Sequence, residues 1–199
     1  MTPPMDHSHT EHTALFQRKL DFLESDFRKK QTPVHSLLHA AAITSETRVL
    51  DLGAGTGYFT FPAASATSAP VYALDLDQQM LGYIKEKAEK SNLQNIHLLQ
   101  QPADTTTLDD SSIDLIIASL MLHEVPSLTN VLAEAHRVLA PGGKLLIIEY
   151  EEDALDGPPE QLRIGSEKLR QILAKYSFEI TKNISLDNSV YTCIAQKKE

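Results

Sequence analysis

A single cysteine, Cys193, stands in the 199 residues. One thiol excludes an intrachain disulfide and any thiolate-rich metal site built from one chain. Its place in the last strand-like stretch suits a buried, inert thiol. No apolar run approaches the roughly 20 residues a membrane span needs. The opening segment, Met1-Thr2-Pro3-Pro4-Met5-Asp6, lacks the basic and then apolar regions of a signal peptide, so the cytoplasm is the expected compartment. Basic charge is also scarce: 18 Lys and Arg face 27 Asp and Glu, a net −9. The longest basic runs are Arg28-Lys29-Lys30 and Lys197-Lys198. Without a basic stripe to track phosphates, no nucleic-acid partner is expected. There is no internal repeat and no low-complexity block. What remains is 42% hydrophobic and 23% charged, the composition of one globular domain with a substantial core.

The chain is organised around Val49-Leu50-Asp51-Leu52-Gly53-Ala54-Gly55-Thr56-Gly57-Tyr58. A short apolar run bearing an acid passes into three glycines at alternate positions, and a helix-compatible stretch follows. Glycine in such a turn tolerates positive φ and lets backbone approach a ligand closely. The dinucleotide fingerprint is G-x-G-x-x-G, whose third glycine packs the helix on the strand. Here the third glycine, Gly57, comes one position early, and Tyr58 stands where that pattern wants glycine. A nicotinamide-dependent oxidoreductase is disfavoured on that ground.

Residues 1–11 read as a flexible polar tail, and its His7 and His9, with His12 just beyond, bind metal adventitiously at best, so no metal site is expected. Residues 12–45 hold two helices. Leu15, Phe16, Leu20, Leu23 and Phe27 recur at helical spacing in the first, and Thr32 as cap with Pro33 at the first helical position opens the second. These helices either lie over a ligand crevice as a lid or pack on the sheet edge.

From residue 46 to 199 strands and helices alternate. The strands are Arg48–Leu52, Val71–Leu74, Ile96–Leu99, Ile113–Ser119 and Lys144–Tyr150, with a closing hairpin over Phe178–Ser185 and Asn188–Ala195. Asp77 caps a helix to Asn92, Leu128–Leu139 is amphipathic and stopped by Pro141-Gly142-Gly143, and Ser166 caps a helix to Lys175. This is a doubly wound, Rossmann-like α/β sheet of seven strands, mostly parallel, with helices on both faces. Such sheets bind ligands beyond the carboxyl ends of their strands. That rule gathers the glycine loop, Asp75, Asp104, Ser119 and Glu149 on one rim.

Asp75 ends the second strand, where a carboxylate suits the two hydroxyls of a ribose. Asp104 follows the third, where it can accept from an adenine amine while the Thr105 N–H donates to a ring nitrogen. Leu76 and Met80 supply apolar contact to ring faces. Each has a plainer alternative, since aspartates cap turns and Met80 fills cores.

The pattern D-x-G-x-G-x-G from Asp51 to Gly57 resembles the first motif of the class I S-adenosylmethionine-dependent methyltransferases. Asp104–Leu108, Ser112–Ile116, Ser119–Pro126 and Arg137–Leu145 are similar to four further motif regions of that family, in order. The branch it most resembles holds the ubiquinone/menaquinone-biosynthesis C-methyltransferases and many small-molecule methyltransferases, with the match over about residues 47–150. The resemblance implies S-adenosylmethionine as cofactor, S-adenosylhomocysteine as product and a small-molecule acceptor. It implies that Asp51 and the backbone of Gly53, Ala54, Gly55 and Gly57 contact the methionyl end. It also implies Asp75 on the ribose, Asp104 and Thr105 on adenine, and the Ser119 carbonyl on the methionyl amine. Many relatives carry His-His where this chain has His123-Glu124, and the segment from Leu108 to Asp114 is short, so the acceptor is not carried over.

Methyl transfer from a sulfonium needs alignment and exclusion of water, and a base only where the acceptor must lose a proton. His123 is the candidate base, with a packed histidine closing the pocket as the alternative. Glu149 is expected to face the acceptor. Glu151, Glu152, Asp153 and Asp156 form either a solvated loop or a substrate-facing lid that favours an amine. A non-catalytic module that binds the same nucleoside would share the glycine loop, and turnover alone separates the two. The assembly is expected to be a monomer or a homodimer.

Overall fold

The computed structural model of the chain describes residues 14, 16–21, 23–25, 29–30, 32–186 and 189–198. The histidine-bearing segment 1–11, His12, Leu15 and Phe27 lie outside the described residues. Seven strands form one sheet in the order β3-β2-β1-β4-β5-β7-β6. They are β1 Val49–Leu52, β2 Val71–Leu74, β3 Ile96–Leu99, β4 Ile113–Ser119, β5 Leu139–Tyr150, β6 Phe178–Ser185 and β7 Val190–Lys197. The first five pair in parallel, and β7 runs antiparallel to both β5 and β6. The chain winds outward from β1 in one direction and from β4 in the other. Between those two strands lies the switch point, where a crevice opens at their carboxyl ends.

The helices are α1 Val34–Ala40, α2 Thr60–Ala66, α3 Gln78–Lys90, α4 Leu128–Val138 and α5 Ser166–Lys175. Side-chain alternation along the strands assigns them to faces. Val49, Val71, Leu115, Ile117, Leu146 and Ile148 point to the face where Val34, Leu37 and Leu38 of α1 and Ala63 and Ala64 of α2 pack. Leu50, Leu74, Ile116, Ala118, Leu145 and Ile147 point to the other, covered by α4 and α5. Covered on both sides, β4 has no polar alternation and, Asp114 and Ser119 apart, reads as an apolar run. No helix among the described residues is long and apolar enough to cross a membrane.

Asp77 caps α3 as its spacing predicts, its carboxylate accepting the Gln79 N–H at 3.0 Å. Other boundaries differ for physical reasons. Pro33 rather than Thr32 precedes the first residue of α1, and Thr32 is fully buried, its carbonyl accepting the Tyr58 hydroxyl at 2.8 Å. Ser166 is the first residue of α5 and not its cap. Its N–H is taken by the Glu151 carboxylate, 3.0 Å away across a loop. The last α4 residue is Val138, before Pro141-Gly142-Gly143, which lies within β5 from Leu139 onward, and the register to β4 jumps between Ile113 and Leu115. The last strand runs to Lys197 rather than Ala195.

Candidate functional site

A cavity of about 880 Å³ opens at the carboxyl ends of β1, β2, β4 and β5. Its floor is the glycine loop. Ala54 donates its N–H to the Leu74 carbonyl (2.9 Å) and Gly57 to the Ala54 carbonyl (2.8 Å), which stitches the loop to the end of β2. Gly53 has φ +64°, and a Cβ there would come within 3.0 Å of the Met121 Cβ. Gly57 (φ +79°) has a different job: a Cβ would lie 2.6 Å from the Phe61 ring, so this glycine lets α2 pack close. Gly53 and Gly55 border the cavity, whereas Ala54, Gly57 and Asp51 are not part of its lining. Asp51 is 2% exposed and accepts the Thr60 hydroxyl at 2.6 Å, so its carboxylate buttresses the loop from beneath.

Asp75 reaches the same floor from β2. One carboxylate oxygen accepts the Gly55 N–H (2.8 Å) and the other the Asp77 N–H (2.9 Å). A carboxylate has about four acceptor sites, so two remain for a ligand. Leu76, 68% exposed, Met80 and Asp104 line the wall beside it. Thr105 does not border the cavity. Its N–H, expected to face a ring nitrogen, closes a turn onto the Pro102 carbonyl at 3.3 Å. Gln101, Pro102 and Ala103 line the wall in its stead.

The loop carrying Asp104 is anchored from α4 by a network that sequence reasoning missed. Glu134 accepts both the N–H and the hydroxyl of Thr106 (2.7 Å each) and two N–H groups of Arg137 (2.6 and 2.9 Å). Arg137 donates onward to the Leu108 carbonyl (2.9 Å) and the Asp110 carboxylate (2.6 Å). Read along the helix, Glu134 and Arg137 are an ordinary surface pair at i,i+3 spacing. The guanidinium, followed by the Thr106 donors, holds the Glu134 carboxyl down to about 2 from its ordinary 4.5. A depressed carboxylate contributes stability that is complete above its unfolded value, near 4.5, and is lost as pH falls towards 2. Replacing Glu134 with Ala should cost about 1–3 kcal/mol in urea unfolding at pH 7. The variant should also lose part of the wild-type acid sensitivity between about pH 5 and 2. Identical acid limbs in the two proteins would remove this assignment.

At the other end of the cavity, β4 ends in Ser119 and turns sharply at Leu120, whose φ is +53°. The turn folds His123 over the end of β5. Glu149 is 0% exposed and collects three donors: the Leu122 N–H at 2.9 Å, His123 Nδ1 at 2.9 Å and the Tyr150 N–H at 3.2 Å. It does not face the cavity as expected. Alternation along β5 sends Glu149 to the α4 side with Leu145 and Ile147, and the 120–123 turn closes over it. A carboxylate only accepts, so Nδ1 carries the proton of this hydrogen bond. The His123 side chain is 6% exposed and borders the cavity, with Nε2 3.7 Å from a Glu124 carboxylate oxygen. Ser119 also borders the cavity, and its buried hydroxyl has no hydrogen-bond partner among the described residues.

The acidic stretch divides by role. Glu151 caps α5, the Glu152 side chain packs against Gly165, and of the four acids only Asp156 borders the cavity. Gly157 (φ +112°) lies flat on the Tyr150 ring, where a Cβ would come within 2.6 Å. From the N-terminal segment, Lys19 and Leu23 complete the wall, Lys19 pairing with Asp77 at 3.1 Å.

Comparison with known proteins agrees with this geometry. A family model described as "Methyltransferase domain" matches residues 43–198. A ubiquinone/menaquinone biosynthesis C-methyltransferase UbiE of Brucella anthropi is 37% identical over 106 residues, 52% of this chain and 40% of that protein. The UbiE of Rhizobium leguminosarum bv. trifolii is 35% identical over 108 residues, 53% of this chain and 42% of its own. The chain thus spans well under two thirds of these curated relatives. Among solved structures, a SAM-dependent methyltransferase from Aquifex aeolicus superposes with a TM-score of 0.82 at 23% identity, over 90% of this chain and 97% of that one. The [4+2]-cyclase SpnF superposes at 0.76 with 18% identity, over 84% of this chain and 80% of its own. With the family model matching most of the chain, the protein belongs to the methyltransferase-domain family.

Proposed function

We propose that this chain transfers a methyl group from S-adenosylmethionine to a small-molecule acceptor, using the one cavity for both. The observation that carries the reading is the continuity of that cavity. It joins a glycine loop tied to a half-satisfied Asp75 carboxylate with a histidine whose Nδ1 is held by a buried glutamate. Asp75 has acceptor capacity left for ribose hydroxyls, Leu76 and Met80 offer apolar surface to a base, and Asp104 offers an acceptor to its amine. Gly53, Gly55 and Ser119 would hold the methionyl end, with Asp51, Ala54 and Gly57 shaping the loop from behind. When bound, the cofactor supplies an electrophilic methyl on a sulfonium, whose departure as a neutral thioether requires no acid.

The protein's part is to align, dry and deprotonate. Lys19 and Leu23 lie at the mouth, where they can act as a lid. His123 Nε2 is positioned to take a proton from an acceptor, and Glu149 acts through it as a positioning residue. Calorimetry tests the reading first: S-adenosylmethionine and S-adenosylhomocysteine should bind and NAD should not. An acceptor screen that reads S-adenosylhomocysteine release then tests turnover. That assay is needed because SpnF, named for a cyclisation, has the same fold. Binding of NAD alone would overturn the proposal, and nucleoside binding with no turnover across the screen would favour a binding module.

A further inference from the structure

The nucleoside end of the cavity is covered by side chains from outside the methyltransferase domain proper. Lys19 and Leu23 border it, and both precede residues 43–198, the part that the family model matches. Leu23 lies over the glycine loop, its Cδ1 3.4 Å from where a Cβ on Gly55 would stand. Gly55 is the residue whose N–H is held by Asp75 at 2.8 Å. Lys19 reaches Asp77 at 3.1 Å, on the carboxylate oxygen opposite the one that takes the Gln79 N–H. The segment thus rests on the strand end that offers its acceptors to a ribose.

A second ion pair fastens the same segment farther along α3. Glu24 Oε1 lies 3.6 Å from Lys87 Nζ. Two rings hold that ammonium in place, the Phe61 centroid at 4.7 Å and the Tyr83 centroid at 5.5 Å. Phe61 is the ring on which Gly57 packs, so contact runs from Glu24 back into the glycine loop. The two pairs have opposite polarity, base to acid at the start of α3 and acid to base near its end, which fixes the direction in which the segment lies. The outer pair is also weak. Glu24 Oε1 has no hydrogen-bond partner among the described residues, and both side chains are about a third exposed. Pairs this exposed contribute little and are screened by salt, which suits a contact that opens and closes. Beyond the segment, buried Thr32 gives a fixed point, its carbonyl accepting the Tyr58 hydroxyl at 2.8 Å.

Resting on the methyl-transfer reading, we propose that the segment carrying Lys19, Leu23 and Glu24 is a charge-latched gate on nucleoside exchange. Latched, Leu23 covers Gly55 beside Asp75. Released, it uncovers the glycine loop, and S-adenosylmethionine enters or S-adenosylhomocysteine leaves. The Glu24–Lys87 pair joins two parts of the protein, and neither residue borders the cavity. It therefore governs how often the gate opens and touches no ligand. Weakening it speeds passage in both directions, so the two rate constants rise together and Kd moves less than either.

Stopped-flow binding of S-adenosylhomocysteine to the full chain tests this. That ligand is a zwitterion without net charge, so the protein's net −9 does not steer its approach. Glu24→Lys should raise the association and dissociation rate constants together by about three- to tenfold, with Glu24→Gln between it and the wild type. Adding Lys87→Glu to Glu24→Lys should return both constants to within about twofold of the wild type. Raising sodium chloride from about 0.05 to 0.5 M should speed both constants in the wild type more than in Glu24→Gln. Rates unchanged in Glu24→Lys, or a double variant no slower than that single one, would overturn the latch. So would a rise in dissociation alone with Kd weakened in proportion, the mark of a damaged site and not of a gate. A chain that does not bind S-adenosylhomocysteine fails earlier, at the methyl-transfer reading itself.

Discussion

Replacing Asp75 with Ala should weaken S-adenosylhomocysteine binding by roughly 10- to 150-fold, the cost of losing charged hydrogen bonds worth about 1.5–3 kcal/mol. The size follows from the double duty of this side chain. It holds the Gly55 N–H at 2.8 Å and the Asp77 N–H at 2.9 Å, so the floor of the cavity and the start of α3 share one carboxylate. Its unused acceptor sites are the ones available to ribose. Asn separates the two duties. One amide oxygen can still accept from a backbone N–H, but the NH2 group must face the other N–H and cannot accept. Asp75→Asn should therefore lose most of the affinity, and its unliganded urea midpoint should fall less than that of Asp75→Ala. Calorimetry on both variants, with unfolding of the unliganded proteins as control, makes the comparison. Affinity unchanged in Asp75→Ala would remove the ribose assignment, and a loss matched by global unfolding would reduce Asp75 to a loop anchor.

What the sequence made legible is what local chemistry decides. The nearly continuous apolar run of β4, the Asp77 cap and the amphipathic face of α4 each follow from neighbouring residues, and each lies in the fold where its spacing puts it. The residues that moved are those whose partners are distant in the chain. Ser166 has a capping side chain of its own, yet it is the first residue of α5, and its own N–H is satisfied by Glu151 from across the loop. Glu134 and Arg137 read as a solvated pair until Thr106 and Leu108 come to meet them. Thr32 looked like a cap because threonine before proline opens many helices, but Tyr58 from the glycine loop claims its carbonyl and buries it. Glu149 is the sharpest instance. An acid at the end of a buried strand suggests a group facing ligand, and only the turn after β4, with Leu120 in the left-handed region, folds two donors over it, the Leu122 N–H and His123 Nδ1. The candidate site was legible as a set of strand ends, whereas which way each acid turned depended on loops.

That inward turn leads to the second large effect. His123→Ala should lower kcat by about 10²–10⁴, the range for losing a general base, with S-adenosylhomocysteine affinity within about threefold of wild type. Glu149→Gln should act through the imidazole. The carboxylate takes donors from Leu122 N–H, His123 Nδ1–H and Tyr150 N–H, and a carboxamide cannot accept all three without turning its own NH2 towards one of them. The easiest group to give way is the imidazole, whose proton can move to Nε2 so that Nδ1 accepts from the amide. Nε2 would then lack the lone pair that a base needs. Nitrogen-15 NMR of His123 should therefore show the Nδ1–H tautomer in the wild type and Nε2–H in Glu149→Gln, with kcat reduced by at least tenfold and KM changed little. Glu149→Ala should instead leave buried donors unpaired and lose about 1–3 kcal/mol of stability. Unaltered kcat in His123→Ala would end the case for a base at this position. A Glu149→Gln protein that keeps both the Nδ1–H tautomer and full turnover would show that the glutamate only seals the turn.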